Sequence, residues 1–154
     1  MPCFRCEAQP GFHSFRNLGR TKDGHCIFYS KPSLNVERTL TESTVENLLS
    51  HMDDATSLGT WIYIFDAQGL DKMEMPNILL MRKFSKTVQE RYRGKMVRVF
   101  IVNKNWAFEL VFNLLKPFMS KENKELYIFC SSPVILLQHD IPSDVIRTVW
   151  NKTE

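Results

Sequence analysis

The stretch VRVFIVNKNWAFELVFNLLKPF, residues 97–118, decides the fold. It opens on a strand, Met96 to Val102, rich in β-branched and aromatic residues. A helix follows and ends around Lys116-Pro117. On that helix Glu109, Asn113 and Lys116 fall at i, i+4 and i+7, which makes one narrow polar stripe. Trp106, Ala107, Phe108, Leu110, Val111, Phe112, Leu114, Leu115, Phe118 and Met119 cover nearly everything else. A helix on the surface of a small domain needs one apolar stripe to face the core. This one is apolar almost all round.

The same alternation extends in both directions. Upstream, Lys22-Asp23-Gly24 signals a turn, and residues 25–29 (HCIFY) read as a short strand. Thr41 is placed to cap a helix through Asp54, with Val45, Leu48, Leu49 and Met52 at helical spacing. Residues 60–65 (TWIYIF) form an unbroken run of the kind found in strands buried on both faces. Pro76 suits the first turn of an amphipathic helix carrying Leu80, Met81, Phe84, Val88 and Tyr92. Downstream, residues 126–130 give a fourth strand, and 133–138 and 142–150 give short helices. Strands alternating with helices predict a mostly parallel sheet of about four to five strands in a three-layer α/β/α arrangement. Residues 1–20, with scattered Gly and Pro, read as an irregular arm ahead of a single domain over 21–154.

Composition fits one soluble globular domain: 154 residues, 44% hydrophobic and 24% charged. A net charge of +3 is too small and too scattered to predict a nucleic-acid partner. No apolar run is long enough to span a bilayer, and the N-terminus lacks the apolar core of a signal peptide; a cytoplasmic protein, peripheral to membranes at most, is expected. Cys3 and Cys6 form a C-x-x-C pair, and His13, His25 and Cys26 follow. None of these supplies two further ligands at a regular zinc spacing, so no metal is expected. Cys26 and Cys130 lie in strand-like runs and read as buried thiols.

The sequence carries no P-loop, no G-x-S-x-G elbow and no dinucleotide fingerprint. None of the four histidines stands in a motif that activates a nucleophile, and His51, on an amphipathic helix, is expected at the surface. Asp66 ends a buried strand, where open α/β sheets bind ligands; its simpler role is to accept hydrogen bonds in the turn to Gly69. No enzyme and no cofactor are expected.

The order of these motifs resembles the CRAL-TRIO lipid-binding domain over roughly residues 20–147. The resemblance rests on the turn before the first strand, WIYIFDAQGL (61–70), VQERYRGKM (88–96), the strand running into Asn103, then Phe108 and Lys116-Pro117-Phe118, and KELYIF (124–129). It implies that the helix before K-P-F is a gate over an apolar pocket, its inner face toward lipid tails and its outer face toward a membrane. The lining it implies is Phe65, Phe100, Trp106, Phe108, Val111, Phe112, Leu115 and Phe118, holding a hydrophobic small molecule or phospholipid. Gly94 stands where phosphoinositide-binding members carry a glutamate, and Glu125 or Leu126 where they carry a lysine. The usual phosphatidylinositol contacts are therefore not expected. The ending IPSDVIRTV (141–149) lacks the family's glycine pair and resembles the BCH subgroup. That subgroup implies an alternative: a protein-interaction module for small GTPases or their regulators, with no lipid. A second copy of the chain covering the apolar helix is a further alternative.

Overall fold

A computed structural model describes residues 3–37 and 39–150; the first two and last four positions of the expected arm and domain lie outside the described residues. Five strands form one sheet in the order β1-β2-β3-β4-β5: β1 (Arg16–Arg20), β2 (Cys26–Ser30), β3 (Trp61–Asp66), β4 (Met96–Val102) and β5 (Tyr127–Cys130). β1 runs antiparallel to β2, and the other three pairings are parallel.

Strand order equals sequence order, and crossovers between parallel strands are right-handed. Helices α2 (Glu42–Ser57), α3 (Ile78–Arg91) and α4 (Trp106–Leu115) make the three connections and so belong to one face. The opposite face is covered by α6 (Pro133–Gln138) and α7 (Ser143–Val149). The period-two alternation of strands sorts the core accordingly. Trp61, Met96, Val99 and Ile101 pack under α2 and α3 with Leu49, Met52, Val88 and Tyr92. Ile62, Ile64, Phe100 and Val102 pack with Leu136, Val145 and Val149. The result is an α/β protein with a mostly parallel five-strand sheet between helices.

The caps are local and legible. Thr41 accepts the Thr44 N–H at 3.2 Å to start α2. Asn77, rather than Pro76, caps α3: its Oδ1 accepts the Leu80 N–H at 3.2 Å, and Pro76 stands just outside the helix. Tyr92 ends α3 and is buried; its hydroxyl donates to Asp53 Oδ1 at 2.7 Å and to the Leu49 carbonyl at 3.1 Å.

The stretch expected to be irregular carries two elements, α1 (Phe4–Ala8) and β1. β1 is an edge strand exposed along most of its length, so its sequence RNLGR shows no apolar alternation. A further helix, α5 (Lys121–Leu126), precedes β5; its sequence KENKEL is mostly polar.

Candidate functional site: an apolar cavity under helix α4

Two asparagines fix where α4 begins. Asn103 takes a left-handed conformation (φ 55°) at the end of β4, and its amide donates to Asp66 Oδ1 at 2.9 Å. Asn105 caps α4 by accepting the Phe108 N–H at 3.1 Å, and its own amide donates to the Ala67 carbonyl at 2.8 Å. The ends of β3 and β4 are thereby tied to the first turn of α4. Asp66 is buried and also accepts from the Tyr29 hydroxyl at 2.5 Å and the Gln68 N–H at 3.0 Å. All of its partners belong to the strand ends and the turn, which makes it a structural acceptor.

Held this way, α4 encloses a cavity of about 730 Å³ against the sheet face that α2 and α3 also cover. That volume is within the range of small-molecule sites, roughly 300–1,000 Å³. The sheet contributes Tyr63, Phe65, Val99, Ile101 and Tyr127, α2 and α3 contribute Leu48, Met52, Met81 and Phe84, and α4 contributes its inner face. Aromatic rings run continuously across the gap: Phe65 lies 5.7 Å from Phe108, which stacks on Phe112 at 5.7 Å, which meets Tyr127 at 5.4 Å. The rim is made by residues of the 32–40 and 70–77 segments. Gly69, at φ +86°, brings these segments together: a Cβ there would stand 2.7 Å from the Ser33 Cβ.

Polar groups in the lining are few. Burial pushes the Tyr63 phenol, beside Ser30, up to about 12, and the Tyr127 phenol likewise to about 12. Glu37 and Glu74 mark the rim, where the Thr39 hydroxyl donates to Glu74 at 3.5 Å. No described lining residue is Lys, Arg, His or Cys.

Of the eight residues expected in the lining, Phe65, Trp106, Phe108, Val111, Phe112 and Leu115 do line it. Phe100 does not. One residue out of phase with Val99 and Ile101, it is fully buried on the opposite sheet face, its ring 5.2 Å from that of His139. Phe118 does not line it either. It lies beyond α4, 58% exposed, with the Arg82 guanidinium 3.6 Å over its ring. The helix resolves into two apolar faces. Ala107, Phe108, Val111, Phe112 and Leu115 turn inward, Leu110 and Leu114 are exposed, and Trp106, in line with them at a four-residue step, is 62% exposed while also lining the cavity at its edge.

Lining residues not expected from the sequence include the sheet and helix positions Tyr63, Met52, Phe84 and Tyr127, and also Asn35, Met73 and Asn77 from polar-looking connections, where periodicity gives no signal. His51 also departs from its expected exposed position: it is 2% exposed and meets Cys3, Cys6 and His13.

Among the described residues, no helix is long and apolar enough to cross a membrane. The chain is 22% identical over 130 residues to the Rho GTPase-activating protein 68F of Drosophila melanogaster; the match covers 82% of this chain and 27% of that protein. The crystal structure of Sfh5 superposes with a TM-score of 0.59 at 15% identity, covering 82% of this chain and 49% of that one. The chain thus spans about a quarter and a half of these two relatives. The profile of the CRAL/TRIO domain matches residues 15–150, all five strands and the whole cavity wall from Phe15 to Tyr127 included. The chain belongs to the CRAL/TRIO domain family.

Proposed function

We propose that the chain is a non-enzymatic binder of a hydrophobic ligand of the lipid class, held between the sheet and the inner face of α4. The observation that carries this reading is the cavity itself: about 730 Å³, walled by aromatic and aliphatic side chains. Apolar tails are held there by area, at roughly 25 cal/mol per Å² removed from water. The outer stripe of Trp106, Leu110 and Leu114 fits transient contact with a membrane, from which such a ligand would be drawn.

The same stripe favours a second reading, an interaction module for a small GTPase or its regulator. The relative named for Rho GTPase activation supports it. The two readings differ in what the cavity holds. Native mass spectrometry of the purified chain, followed by organic extraction, separates them. A stoichiometric lipid supports the first reading. A monomer that carries no lipid and takes none up from vesicles sinks it and leaves the second.

A further inference from the structure

Four side chains far apart in sequence converge at the edge of the α2 layer. Cys3 and Cys6 come from the N-cap and first turn of α1, His13 from the loop that follows, and His51 from the middle of α2. Their donor atoms all lie within 4.8 Å of one another, and none of the four residues is more than 7% exposed. His13 Nδ1 is 3.5 Å from Cys3 Sγ and 3.6 Å from Cys6 Sγ, and His51 Nε2 is 3.4 Å from Cys6 Sγ. Zinc bonds of about 2.3 Å to sulfur and about 2.0–2.1 Å to nitrogen, at tetrahedral angles, place S and N about 3.5–3.6 Å apart. The three S···N spacings observed, 3.4–3.6 Å, match that edge.

The surroundings favour a bound cation over a hydrogen-bonded cluster. His13 Nε2 is 3.1 Å from Glu37 Oε2, and a carboxylate only accepts, so the ring proton is on Nε2 and the Nδ1 lone pair points at the two sulfurs. This is the carboxylate–histidine arrangement that orients metal ligands. Each sulfur also accepts a backbone N–H, Cys3 Sγ from Cys6 at 3.4 Å and Cys6 Sγ from His13 at 3.3 Å, contacts that stabilise thiolate. His51 Nδ1 has no partner, so Nε2 makes that ring's polar contact.

We propose that Cys3, Cys6, His13 Nδ1 and His51 Nε2 form a structural Zn²⁺ site. Two thiolates and two imidazoles are a set that tetrahedral zinc accepts, and four protein ligands leave no open position for catalysis. The ion would staple α1 and its following loop to α2. It would also set one wall of the ligand cavity, because Phe15, which lines that cavity, lies ring to ring with His51 at 5.4 Å.

The test uses the whole chain, purified under reducing conditions without chelator and analysed by native mass spectrometry and elemental analysis. One zinc per chain is expected. Replacement by Co²⁺ should give the visible d–d bands of a tetrahedral site together with thiolate charge-transfer absorption. Cys6→Ser and His51→Ala should lose the metal, while Cys130→Ala, outside the cluster, should keep it. Glu37→Gln leaves all four ligands in place and should weaken zinc about 10–100-fold in chelator competition. If the ligand variants fail to fold, the wild-type Co²⁺ spectrum and the Glu37→Gln competition still decide. A folded wild-type chain with no zinc and no tetrahedral Co²⁺ spectrum overturns the proposal. So does a Cys3–Cys6 disulfide in place of metal under reducing conditions, or a full zinc equivalent in folded Cys6→Ser and His51→Ala.

Discussion

Placing a carboxylate at Phe112 separates the cavity's job from the core's. The Phe112 ring is half-buried, stacked on Phe108 at 5.7 Å and edge-on to Tyr127 and Phe129, each at 5.4 Å. Truncating a fully buried Phe costs about 3–5 kcal/mol, so Phe112→Asp should cost the fold about 2 kcal/mol of lost packing. The charge itself costs the ligand-free fold little, because 730 Å³ leaves room for water around the new carboxylate. A bound tail removes that water. Dehydrating an unpaired carboxylate costs several kcal/mol, and a net 3–4 kcal/mol weakens binding by about 10²–10³-fold. The sign with pH follows. The introduced carboxyl has a higher pKa in the liganded than in the free state, so binding takes up a proton. Affinity should rise as pH falls through the liganded pKa and level off below the free value of about 3.9. Lipid occupancy by native mass spectrometry across pH 7 to about 4, with circular dichroism alongside, reads both effects; Phe112→Leu should stay loaded. A folded Phe112→Asp chain with wild-type occupancy at pH 7 would refute the assignment of this helix face to the ligand.

Three further outcomes follow from the geometry. Phe118→Ala removes one ring beneath the Arg82 guanidinium, worth about 0.5–1 kcal/mol at an exposed site; urea unfolding should shift by no more than that, and lipid occupancy should not change. Leu110→Ser with Leu114→Ser alters the exposed stripe without touching the cavity lining; stability should stay within about 1 kcal/mol of wild type while co-sedimentation with neutral vesicles falls, and unchanged co-sedimentation would remove that stripe from membrane contact. The Tyr63 and Tyr127 phenols sit at about 12 in the folded chain against 10 for the free group, so the folded state holds their protons more tightly. Their contribution is complete below pH 10 and is lost from there to about 12, at about 1.4 kcal/mol per pH unit for each; stability measured by denaturant should decline over that window, and phenolate absorbance should appear only with unfolding.

The fold was legible because its deciding strands are buried on both faces. Runs such as residues 60–65 carry β-branched and aromatic residues without interruption, and only a covered parallel sheet needs that. The elements that escaped are those whose stability comes from neighbours rather than pattern. β1 is held by pairing with Cys26–Tyr29 at the sheet edge, and its RNLGR sequence satisfies water on both sides. α1 is a five-residue turn of helix whose only buried residue is Cys6.

The site was legible in part, for a reason that lies in periodicity itself. An α-helix apolar all round announces that it has two jobs, but its sequence cannot say which face has which; α4 acquires an inside only from the Asn103 and Asn105 contacts that aim it at β3. Strand parity errs differently. Phe65 and Phe100 looked equivalent as aromatics on adjacent strands, yet Ile64, not Phe65, pairs with Phe100, and cross-strand partners share a face. One register position therefore separates a cavity wall from the opposite core. The cysteine–histidine cluster shows the harder limit. Ligand spacing is a usable signal when a hairpin or a helix brings the residues together, as Cys3 and Cys6 already suggest. His51 joins them from thirty-eight residues beyond His13, across β1, β2 and half of α2, so its partner role is set by where the β2–α2 crossover lays its helix on the sheet. Its ring is turned inward beside Phe15 and His13 rather than outward with the helix's acids, and only the assembled layer fixes that choice.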